Sequence, residues 1–129
     1  MASIDSLHVE MTIPARPDRA PVVRGVLRRF LYDIPMAGER VSDVLLAVGE
    51  ATSNAIEHAY AGEEGPVFVR AAASCSRKYL EIEVSDRGRW RVSTSEERGR
   101  GLMIMRALIE NVAVRSGKHG TSIRFEMRI

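Results

Sequence analysis

The segment GEATSNAIEHAY, Gly49–Tyr60, sets Glu50, Asn54 and His58 four residues apart in a run of otherwise small and apolar residues. On a helix turning about 100° per residue, Asn54 and His58 drift only about 40° and 80° from Glu50. Val41, Val44, Leu45, Val48, Ala55, Ile56 and Ala59 fall on the far side. The spacing therefore predicts a helix that docks by one face and shows Glu50 and Asn54 on the other. Ala47 and Ala51 flank the polar line, and their small side chains are expected to leave space above the helix surface. An ordinary amphipathic helix with a solvated outer face has the same spacing. The polar line acquires chemical meaning only from what the rest of the chain brings to it.

Working outward, this helix is expected from about Glu39 to Ala61, where GEEGP ends it with two glycines and a proline. Before it, SLHVEMTIP alternates Leu7, Val9, Met11 and Ile13 with polar neighbours and reads as a strand ended by Pro14. A further helix follows from Pro17 or Pro21 to Tyr32. After the long helix the period changes. PVFVRAAAS and KYLEIEVSD read as an antiparallel hairpin turning near Ser76–Lys78. RGRWRVSTSEERGR, polar and glycine-containing, reads as a loop. GLMIMRALIE reads as a short apolar helix, NVAVRS as a strand, GKHG as a tight turn and TSIRFEMRI as a closing strand. Helices gather in the first half and strands in the second. The expected class is α+β: a two-layer sandwich of a mixed, mostly antiparallel sheet with helices on one face.

The chain has 129 residues, 45% hydrophobic and 28% charged, which predicts one globular domain spanning 1–129. No apolar run approaches the ~20 residues that cross a bilayer, and MASIDSLHVEM lacks the pattern of a signal peptide, so a cytoplasmic protein without a membrane segment is expected. A single cysteine, Cys75, excludes an internal disulfide and a multi-cysteine metal site, and is expected to be structural. The net charge of +2 does not call for nucleic acid. Arginines do cluster, at Arg16, Arg19, Arg24, Arg28 and Arg29 and at Arg87, Arg89, Arg91, Arg98 and Arg100, but too few aromatic residues accompany them to stack on bases.

Three short motifs lie downstream of the polar helix. In VSDRG, Asp86 ends an apolar strand and precedes Gly88; such a carboxylate accepts a hydrogen bond from an exocyclic amine, and the glycine admits a flat base against the backbone. In RGRGLMIM, Gly99 and Gly101 are expected directly before a helix, where free amides and the helix dipole suit an anion and Arg98 and Arg100 add charge. In GTSIRF, Gly120 and Thr121 open the last strand. Each motif alone is also an ordinary turn, and no G-K-[ST] follows to make a Walker loop.

In this order the four blocks resemble the boxes of the GHKL ATPase superfamily, and most closely the bacterial anti-sigma-factor serine/threonine kinases. EATSNAIEHAY resembles their N box, DRG the first glycine box, GRGL the second and GTS the third. The resemblance implies the Bergerat-type ATP-binding fold, with ATP and Mg²⁺ as the bound species. Asn54 would ligate Mg²⁺. Glu50 would be the general base toward an attacking hydroxyl. Asp86 and Gly88 would meet adenine with help from Thr121. Gly99, Gly101 and Leu102 would offer amides to the phosphates beside Arg98 or Arg100.

The implied activity is transfer of the γ-phosphoryl group to a serine or threonine of an anti-anti-sigma factor, coupled to sequestration of a sigma factor, in a homodimer. The alternative is a nucleotide-binding partner switch without phosphoryl transfer. A sensor histidine kinase would need a second domain with an acceptor histidine. One departure stands out: Trp90 occupies the position of a second glycine in the first glycine box, in a lid expected between Asp86 and Gly99.

Overall fold

The computed structural model describes residues 6–89 and 95–129, with backbone alone at 95–98. Five strands form one sheet: β1 (Ser6–Pro14), β2 (Pro66–Ser74), β3 (Tyr79–Asp86), β4 (Asn111–Gly117) and β5 (Gly120–Arg128). Their order across the sheet is β1-β2-β3-β5-β4. All four pairings are antiparallel, so the sheet is not mixed. Among the described residues three α-helices accompany it: α1 (Ala20–Tyr32), α2 (Gly38–His58) and α3 (Ser95–Leu108).

The strands follow their period-two patterns. Along β2, Val67, Val69, Ala71 and Ala73 are buried, and along β3 the same holds for Leu80, Ile82, Val84 and Asp86. Thr121, Ile123, Phe125 and Met127 of β5 continue that face. The opposite face carries charge: Arg70 pairs with Glu83, and Arg124 with Glu81, Glu83 and Glu126. One face of the sheet is therefore the core and the other is solvated, as an antiparallel sheet permits.

Helices α1 and α2 close the core with Val23, Leu27 and Leu31 from the first and Val44, Ala47, Val48, Ala51 and Ala55 from the second. Pro21 falls in the first turn of α1, where its missing N–H costs nothing. Helix α2 ends where Ala61 and Gly62 take positive φ of 50° and 87°, which reverses the chain toward β2. Ala47 and Ala51 do not border open space. Both are fully buried, and α3 packs on α2.

The largest difference from expectation is the start of α3, which begins at Ser95 and not at Gly101. The serine followed by Glu96 and Glu97 suits a helix N-terminus, where acidic groups face the positive end of the dipole. Of the expected lid, residues 90–94, including Trp90, lie outside the described residues, and 95–98 belong to α3. Cys75 is half-buried in the β2–β3 turn, outside the core.

Candidate functional site

The site is organised by α2. Glu50 and Asn54 are half-buried on the side of that helix that meets α3. Gly101 is the point of contact. A β-carbon on it would stand 2.7 Å from Asn54 Nδ2 and 3.5 Å from Glu50 Oε2. The absence of a side chain at 101 brings the α3 backbone directly onto the two polar groups that the sequence sets in line. With the Asn54 amide nitrogen toward α3, its carbonyl oxygen turns the other way. His58 lies one turn on, with Nε2 3.6 Å from the Glu57 carboxylate.

The second half of the site hangs from the end of α2. Asp86 is 5% exposed at the end of β3. Its Oδ1 accepts hydrogen bonds from the backbone N–H of Gly88 at 3.0 Å and of Thr121 at 3.3 Å. These bonds fix the carboxylate between the turn after β3 and the start of β5. Two glycines make the fit possible: a β-carbon on Gly88 would collide with the Ala59 carbonyl, and one on Gly120, whose φ is +131°, with the Asp86 carbonyl. Thr121 is buried at 4% exposure, and its hydroxyl shares a hydrogen bond of 3.1 Å with Ser116 on β4.

Residues that the motif reading passed over hold this turn in place. The Arg89 N–H donates to the Ala59 carbonyl at 2.8 Å. The Tyr60 hydroxyl donates to the Pro66 carbonyl at 2.5 Å and accepts from the Arg87 N–H at 2.8 Å. Burial pushes the Tyr60 phenol above its ordinary value of 10.0, so the proton it needs as a donor stays on. Sequence offered one signal for this clamp: Tyr60 closes the same block that supplies Glu50 and Asn54.

The second glycine motif is arranged differently from expectation. Gly99, Gly101 and Leu102 lie inside α3, where N–H groups point back to carbonyls four residues earlier. The amides that such a helix leaves without an internal partner are those of its first turn, residues 95–97. Gly99 and Arg100 are exposed, Gly101 is buried and Leu102 packs on the core. Arg98 is helical, and its side chain lies outside the described residues.

No group of three or more His, Cys, Asp and Glu side chains forms a metal cage among the described residues. The Asn54 amide oxygen is instead a ligand suited to a hard ion that takes its remaining ligands from phosphate and water. On the other flank of α2, a groove of about 480 Å³ runs along α1; Arg24, Arg28, Leu45, Leu46 and Glu50 are among its walls.

Comparison with known proteins identifies the family and the fold. The family described as histidine kinase-like ATPase domain matches residues 13–127. A serine-protein kinase RsbW of Bacillus pumilus is 32% identical over 128 residues, covering 84% of this chain and 78% of that protein. An anti-sigma F factor of Clostridium acetobutylicum is 30% identical, covering 89% of each. Among solved structures, the RsbU and RsbW domains of a Mycobacterium tuberculosis protein superpose with a TM-score of 0.77 at 27% identity, covering 95% of this chain and 32% of that one. A blue-light-activated histidine kinase domain of Erythrobacter litoralis shares the fold, with a TM-score of 0.61 at 20% identity.

Proposed function

Because the chain belongs to the histidine kinase-like ATPase domain family, we propose that it is an ATP-dependent protein serine/threonine kinase acting as an anti-sigma factor. It phosphorylates an anti-anti-sigma antagonist and sequesters a sigma factor. The observation that carries the reading is the meeting of Glu50 and Asn54 beneath the bare backbone of Gly101, on the same helix whose end holds the Asp86 turn. One helix thus presents a base and a metal-binding amide, and the residue after its last turn anchors the turn that follows the adenine-reading carboxylate of β3.

Each residue has a distinct task. Asp86, held by two backbone amides, accepts the exocyclic amine of adenine, and Gly88 keeps the surface beside it flat. Thr121 adds a hydroxyl at the same edge. Glu50 accepts the proton of the attacking serine or threonine hydroxyl as its oxygen bonds to the γ-phosphorus and ADP departs. Asn54 holds Mg²⁺ through its amide oxygen; when bound, the ion neutralises phosphate charge. Arg98 and Arg100 stand on the helix turn adjoining Gly101 and supply further positive charge. Residues 1–129 act as one catalytic domain, and the working form is a homodimer in the cytoplasm.

The relatives named RsbW and anti-sigma F factor support the kinase and its partners. A partner switch that binds nucleotide without transferring phosphate is the competing reading, and the presence of Glu50 beside Asn54 favours the enzyme. Calorimetric titration with ATP, with and without Mg²⁺, tests the site. Magnesium-dependent binding that Asn54→Ala weakens is expected; wild-type protein that binds no nucleotide at millimolar concentration overturns the reading.

A further inference from the structure

Helix α3 is held unequally along its length. Its C-terminal half is anchored, with Met105 at 1% and the following Ile109 at 2% exposure. Toward the N-terminus, Gly99, Arg100, Met103 and Ile104 are exposed, and among the described side chains of that half Gly101 and Leu102 alone reach inward. The element that covers Glu50 and Asn54 is therefore a lever fixed at its far end.

Arg40 fixes that end. From the first turn of α2 its Nη1 donates to the Leu108 carbonyl at 3.0 Å, and its Nη2 pairs with the Glu110 carboxylate. Leu108 is the last residue of α3. Its carbonyl is one of the four that a helix leaves without an internal partner, and a cation there also meets the negative end of the dipole. Leu108 lies two turns from Gly101, within about 20° on the helical wheel and about 10 Å along the axis. A guanidinium that grips Leu108 thus sets the register and rotation at which Gly101 arrives over Asn54.

We propose that Arg40 is a positioning residue for phosphoryl transfer. By capping α3 and pairing with Glu110, it places the Gly101 backbone against Glu50 and Asn54. The effect deepens the kinase reading and rests on it for its functional readout, while its structural readout does not.

The test compares wild type with Arg40→Met, Arg40→Lys and Glu110→Gln. Backbone amide exchange over 102–108 is expected to accelerate about tenfold in Arg40→Met while β2 and β5 keep their protection. In the same variant the Kd for MgATP is expected to rise about five- to tenfold, with Arg40→Lys and Glu110→Gln between it and wild type. Two results overturn the proposal: unchanged exchange over 102–108, or exchange that rises equally throughout the sheet with a Kd within about twofold of wild type, which marks general destabilisation. If wild type itself binds no MgATP, the kinase reading fails, and the exchange pattern alone decides whether Arg40 sets the helix.

Discussion

Gly101 and Asn54 touch without a side chain between them: a β-carbon at 101 would sit 2.7 Å from the Asn54 amide nitrogen. Gly101→Ala separates function from stability. Alanine favours the helix by about 1 kcal/mol over glycine, which offsets the local push on a movable amide. The unfolding free energy is expected to stay within about 1 kcal/mol of wild type, while MgATP binding weakens about tenfold because the Asn54 ligand is displaced. Denaturant titration beside calorimetry checks both halves.

Glu50 is assigned the proton of the acceptor hydroxyl and no part of the grip on nucleotide. Glu50→Ala is expected to slow phosphoryl transfer by about 10²- to 10⁴-fold. Nucleotide affinity is expected to stay within about threefold, since binding rests on Asp86, the phosphates and the ion. Single-turnover transfer from labelled ATP measures the first, and a loss of binding in place of transfer would remove Glu50 from the role of base.

Asp86 combines two tasks that different substitutions pull apart. Asp86→Asn keeps an oxygen for the Gly88 and Thr121 amides, so stability is expected to fall by less than about 1 kcal/mol while ATP affinity drops. Asp86→Ala leaves both buried amides without that acceptor and is expected to cost about 2 kcal/mol or more in addition. Equal ATP affinity in wild type and Asp86→Asn would contradict the assignment to adenine.

The architecture was legible in the sequence wherever periodicity met burial. The alternation in PVFVRAAAS fixes β2 at Pro66–Ser74, and the apolar face of α2 follows its helical spacing. Asp86, Gly88 and Thr121 come together as their motif order implies, because β3 and β5 are neighbours and align Ser85 with Ser122. The start of α3 was not legible. Polarity in SEERGR resembles a loop, while the same serine and glutamates also suit the first turn of a helix, and glycines at 99 and 101 hide its continuation. Contacts between elements distant in sequence, such as Arg40 with Glu110 or Tyr60 with Arg87, leave no periodic trace at all.

The arginines of α1 divide by environment. Arg29 lies 3.9 Å from Asp33, while Arg24 and Arg28 border the groove that also touches Glu50. Arg24→Glu with Arg28→Glu is expected to leave ATP affinity within about twofold and to weaken capture of the protein substrate about tenfold or more. Phosphorylation measured against substrate concentration distinguishes the two; an unaltered KM for the protein substrate would exclude this surface.

Tyr60 gives the fold a dependence on alkaline pH. Burial raises its phenol above 10.0 in the folded protein, so the folded state holds the proton more tightly than the unfolded chain does. That stability is complete below the ordinary value and is lost as pH rises through the folded value. The melting temperature is thus expected to be independent of Tyr60 ionisation near neutrality and to fall in the alkaline range. Tyr60→Phe is expected to cost about 1–2 kcal/mol at neutral pH through its two lost hydrogen bonds and to soften the alkaline fall. Softening, not abolition, is expected because burial also raises Tyr79.

Helix α2 carries Glu50 and Asn54 by their side chains and the Asp86 turn by the carbonyl of Ala59. Four residues stand between Asn54 and Ala59. Inserting or deleting one of them would swing one half of the site about 100° around the other and shift it about 1.5 Å. The helix is in effect a ruler: a substitution along it alters one half of the site by itself, but the number of residues between the two ends is not free to drift.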